Sequence, residues 1–152
     1  MLHRLLLYAL SLVLLSSCGA KGSGSSNAGG ADDLVPVKKA SLGWGIKASR
    51  DGAAAEVFLA ITDETGRATS HPLGRFDGEC AAISGGRPST GAITAVLCKR
   101  GDIGVELDAI PRPGVIIVLK MAYAAGAQPD PLAGEEVAHI AVPVGAKIEV
   151  SN

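Results

Sequence analysis

Aromatic side chains are scarce in this sequence of 152 residues: one Trp, two Tyr and two Phe make up 3% of it. Sugars normally stack on aromatic platforms, so a glycosidase is a poor reading even though paired carboxylates are present. Histidine is as thin, with His3, His71 and His139 far apart and without the Cys or His spacing of a zinc site. No Gly-x-Ser-x-Gly elbow supports a serine nucleophile. A Cys-x-x-Cys redox motif and an Asp-x-Asp-x-Asp-Gly calcium loop are missing too. Charge of one sign is also lacking. With a formal net charge of −1 and interspersed signs, there is no basic stripe for nucleic acid and no Lys/Arg cluster for anionic lipid. Beyond the first segment no apolar run approaches the roughly 20 residues of a membrane-spanning helix. Nothing calls for a cofactor.

What is present begins at the amino terminus. His3 and Arg4 precede an apolar run from Leu5 to Leu15 that gives way to small residues, the three-part layout of a secretory signal. The run is too short to span a bilayer. It ends in Leu15-Ser16-Ser17-Cys18, which resembles the bacterial lipobox: an aliphatic residue, two small residues and the cysteine that is lipidated. The resemblance covers the first eighteen residues. It implies cleavage of a signal peptide spanning 1–17, a diacylglyceryl group on the Cys18 sulfur and an acylated new amino terminus. Two or three acyl chains, at about 0.8 kcal/mol per buried CH₂, hold a protein stably on a membrane. Gly19, where an aspartate would imply inner-membrane retention, points to the outer membrane as the resemblance has it.

Residues 18–33 continue in Gly, Ser, Ala and Asn, a composition that cannot bury enough apolar surface to order itself. As a flexible tether it has a typical reach of roughly 20 Å. The remainder, 34–152, is the usual size of one domain. With Cys18 assigned to lipid, Cys80 and Cys98 form an even pair in a compartment where disulfides persist, and they are expected to be bridged; two buried free thiols or a redox pair are the alternatives.

Period-two alternation dominates that domain. Leu42, Trp44 and Ile46 share one face of a strand, and Val57, Leu59 and Ile61 share one face of the next, with Asp51-Gly52 as the hairpin signal between them. A short extended piece around 68–76 contains Pro72, which belongs at an edge or in a bulge. Further strands are expected around 79–83, 92–99, 103–110, 115–123, 136–142 and 146–150. In the 103–110 strand, Ile103, Val105 and Leu107 should face inward, and Glu106 and Asp108 outward as solubilising residues. Pro111-Arg112-Pro113-Gly114 should make a loop. Short strands with turn signals every eight to twelve residues predict an all-β fold, a small antiparallel β-sandwich or barrel of about seven to eight strands.

Two loops are the candidate binding surfaces: 84–91, with Ser84 and Arg87, and 124–134, with Gln128 and Asp130. His139 is expected to be partly buried on a strand and His71 to be solvated in a loop. The sequence thus predicts a non-enzymatic binding or structural module, held on the envelope membrane through its lipid. Its partner would be another envelope protein or a surface polymer. The alternative is a small envelope hydrolase or metal-binding protein that brings His71 or His139 together with nearby carboxylates.

Overall fold

The computed structural model describes residues 38–151. The signal peptide, Cys18 and the tether lie outside the described residues. The domain is an all-β sandwich of nine strands rather than seven to eight. In chain order they are β1 (Lys39–Ala48), β2 (Ala54–Asp63), β3 (Ala68–Asp77), β4 (Glu79–Ile83), β5 (Thr94–Arg100), β6 (Ile103–Arg112), β7 (Val115–Ala124), β8 (Glu135–Ala141) and β9 (Lys147–Val150).

The first sheet has the order β3-β2-β1-β9 and the second the order β4-β5-β6-β7-β8. The second is a plain antiparallel meander. The first is not wholly antiparallel, because β9 runs parallel to β1, Lys39 lying opposite Lys147 and Leu42 opposite Val150. The ninth strand is therefore seated beside the first.

The alternating apolar residues meet between the sheets. Leu42, Val57 and Leu59 from the first pack against Val96, Leu107, Ile116 and Val118 from the second. Trp44 adds a polar tie: its indole N–H donates to the Thr94 hydroxyl at 2.9 Å across the two sheets. Thr94 is itself buried, so each group satisfies the other.

Glycine and proline explain where strands bend or change sheet. Gly78 carries the chain from β3 to β4 with φ 91°, and a Cβ there would fall 1.9 Å from the Lys99 carbonyl oxygen, so only glycine fits the crossing. Pro72 lies in an edge strand beside the register shift at Val57/Phe58, as its chemistry requires. Pro111 departs from expectation by staying inside β6, opposite Ile116. Its nitrogen faces the same side as the backbone of Ala109, whose carbonyl accepts from Ile93 N–H at the last rung toward β5. Past that rung no strand needs a donor, and only the two residues Pro113 and Gly114 form the turn.

Cys80 and Cys98 are directly opposed on β4 and β5 and are joined by a disulfide. The bridge pins the edge strand β4 to the meander.

Candidate functional site

The register places the two candidate loops over the outer face of the second sheet. Leu107 and Ala109 point into the core, so Glu106 and Asp108 point away from it, yet both are buried, at 2% and 0% exposure. The expectation that they solubilise an open face is therefore wrong. The segment 84–93 leaves the end of β4 and folds back over them. Gly86 permits the fold: a Cβ there would lie 1.6 Å from the carbonyl oxygen of Ala92.

Arg87 supplies the charge that makes this burial tolerable. Its Nε donates to Glu106 Oε1 at 2.8 Å and its Nη2 to Oε2 at 2.6 Å, a two-point ion pair. The Glu106 carboxylate raises the pKa of Arg87 further. Thr90 serves the second acid, its hydroxyl donating to Asp108 Oδ2 at 2.7 Å while accepting from Ala92 N–H at 3.2 Å. Arg87 Nε is 4.0 Å from the same Asp108 oxygen. Asp108 Oδ1 is buried without a hydrogen-bond partner. Burial, reinforced by Glu106 beside it, pushes the Asp108 carboxyl up to about 6 against the opposing pull of Thr90 and Arg87. Tyr123 closes the cluster at the far side. Its ring lies on Gly104, its partner across the ladder, and burial followed by the charge of Glu106 raises its phenol pKa.

Arg87, one of the candidate binding residues, is therefore engaged by the domain's own carboxylate, whereas Ser84 is exposed. In the other loop Gln128 and Asp130 are exposed and Pro129 is buried. Asp130 caps a single 3₁₀ turn, Pro131–Ala133, by accepting from Leu132 N–H at 2.9 Å. Gly134 then brings the chain against Met121 and Leu119. Leu132 stands 96% exposed.

The histidines do not meet. His71 lies within β3, not in a loop, with its Nε2 3.2 Å from the Thr69 hydroxyl. His139 is exposed rather than partly buried and pairs with Glu136 at 3.1 Å on β8, in the other sheet. Among the described residues no three His, Cys, Asp or Glu side chains converge to hold a metal ion, and no helix is long and apolar enough to cross a membrane.

A feature without a sequence signal is a cleft of about 670 Å³ on the inner face of the second sheet. It lies at the far end of the domain, by the 101–102 turn, where β3 packs over β5 while Ile103 of β6 and Ala122 of β7 stay exposed. Ile103, expected in the core, is 63% exposed there. Val105, Ala122 and Phe76 complete an apolar floor and wall, with the Cys98 arm of the disulfide beneath. Arg75, Arg100 and Lys120 ring it against one acid, Asp77. Arg100 pairs with Asp77 at 2.8 Å, and Lys120 with Glu135 at 2.6 Å. Ile103, Val105 and Leu107 alternate identically in sequence, so only the placement of the opposing sheet separates the exposed residue from the buried one.

Comparison with protein-family models, with curated proteins and with solved structures finds no match.

Proposed function

We propose that this chain is an exported lipoprotein of the bacterial cell envelope, acylated on Cys18, whose β-sandwich is a non-enzymatic binding module with its working surface in the cleft between the strand ends opposite Lys39 and Lys147. The observation that carries the reading is the disposition of the two ends. The chain enters β1 at Lys38 and Lys39, alongside Lys147, whereas the cleft opens at the other end of the sandwich. Ten residues of β1 separate these ends by roughly 30 Å. The cleft thus opens at the end of the sandwich opposite the one where β1 begins.

Further support comes from the disulfide, which suits an oxidising compartment. The outer membrane is the proposed site on the strength of Gly19. The hydrolase or metal alternative needs His71 or His139 to converge with carboxylates, whereas His71 pairs with the Thr69 hydroxyl and His139 with Glu136 alone, and no three such groups converge among the described residues.

The test is the intact mass of the full chain extracted from membranes of a bacterial host, with Cys18→Ala as control, followed by separation of inner and outer membranes. The expected product begins at Cys18, carries acyl chains and fractionates with the outer membrane. A cleaved chain without acyl mass would make it a secreted soluble protein, and an intact signal would overturn export.

A further inference from the structure

We propose that the far-end cleft binds a long-chain carboxylate, with the acyl chain along the floor of Ile103, Val105 and Ala122 and the head group held by Arg100 or Lys120. The inference deepens the reading of the domain as a binding module and rests on it.

The chemistry of the occupant follows from three features. The floor is a sheet face, not an edge: β6 is paired by β5 and β7, and β7 by β6 and β8. A visiting strand therefore finds no free ladder there, and an occupant must bind through side chains. The floor is apolar and water-facing, and the cleft lies within the 300–1,000 Å³ usual for small-molecule sites. Three cations stand at its rim against Asp77 and the Glu135 carboxylate paired with Lys120, an excess of one positive charge, so the complementary head is an anion. The counterions now present are easily exchanged. The Asp77 and Glu135 side chains are each 66% exposed, and exposed ion pairs contribute little. A ligand carboxylate can replace either one while its chain covers Ile103. A free monoanionic amphiphile fits this combination.

The test is photolabelling of the full-length chain in its membrane with a diazirine-bearing palmitate, followed by tryptic mapping. Labelling is expected on Gly101–Lys120 and Met121–Lys147, the peptides that contain Ile103, Val105 and Ala122. The matching alcohol, which lacks the charge, should label about tenfold less, the factor expected for one charge-assisted hydrogen bond. Ile103→Asp changes an exposed residue and should reduce labelling by a similar factor, with unchanged Trp44 emission showing that the fold is retained. Labelling spread over the whole surface, indifference to head-group charge, or full labelling of the Asp variant would overturn the proposal. Equal labelling by a diazirine phosphatidylcholine would overturn it in favour of a membrane phospholipid. Cys18→Ala protein should label like the wild type, which keeps the two readings separable. Lost labelling with acylation intact refutes the ligand, and lost acylation with labelling intact refutes the anchor.

Discussion

Arg87 and Glu106 form a two-point ion pair across nineteen residues of chain, one partner on a loop and the other fully buried on the outer face of a strand. Removing the guanidinium strands a buried carboxylate. Arg87→Ala is therefore expected to cost about 3–5 kcal/mol, the range for breaking a buried pair from one side. Arg87→Lys should recover part of the loss, because it restores charge without the two-point geometry. Urea denaturation of the two variants and of Glu106→Gln checks this. If Arg87→Ala proves neutral, the loop does not depend on this pair.

Asp108 gives the domain a pH dependence of a definite sign. Its carboxyl titrates near 6 in the folded chain and near 3.9 when unfolded. The folded state therefore holds the extra proton between those values. The stabilisation is complete below about 4 and is lost as pH rises through about 6, with a ceiling on the order of 3 kcal/mol. Asp108→Asn should flatten this slope and leave the protein more stable at pH 7.5 than the wild type. Denaturation midpoints between pH 4.5 and 7.5 decide the matter, and an unchanged slope in the Asn variant would assign it to another group.

Opening the Cys80–Cys98 bridge, by reduction or by Cys80→Ala with Cys98→Ala, frees a chain segment with a sequence separation of 18. The expected loss is about 3 kcal/mol. For a domain of this size that corresponds to a fall in Tm of roughly 10–20 °C. Calorimetry with and without reductant measures it directly, and an unchanged Tm would mean that β4 is held by its ladder alone.

Trp44 is the sequence's single tryptophan, so its fluorescence reports one contact between the sheets. Thr94→Val keeps the volume and removes the acceptor for the indole N–H. The expected cost is about 1–3 kcal/mol for an unsatisfied buried donor, together with a shift in Trp emission. Thr94→Ser should retain both the emission and most of the stability.

The all-β class and the existence of most strands were legible because a half-buried strand writes its orientation into every second residue. Val57, Leu59 and Ile61 face the core as their alternation requires. Period two identifies the two faces of a strand but does not say what covers each. Glu106 and Asp108 look like solvent-facing acids until Arg87 and Thr90 arrive from a segment whose composition announces only a loop. Ile103 fails in the opposite sense, as an inward residue with no sheet above it. Pro111 stays in a strand because the ban on proline in a ladder applies only on the side where a neighbour needs its N–H. In each case the deciding fact is a pairing or a covering made by residues distant in sequence. The disulfide was the exception, since Cys80 and Cys98 were the only pair left once Cys18 was set aside.

The parallel seating of β9 beside β1 also sets an order in time. The five-stranded sheet is made of consecutive strands, and the first three strands of the other sheet follow one another as well. A chain that emerges amino terminus first can therefore assemble every rung of both meanders as it appears. The remaining edge, from Lys39 to Leu42, must wait until Lys147–Val150 has arrived, across more than a hundred residues. Contacts of that separation form slowly. Until then this flank of β1 is open, so β1 stays uncovered on that side while all the strands from β2 to β8 are being delivered.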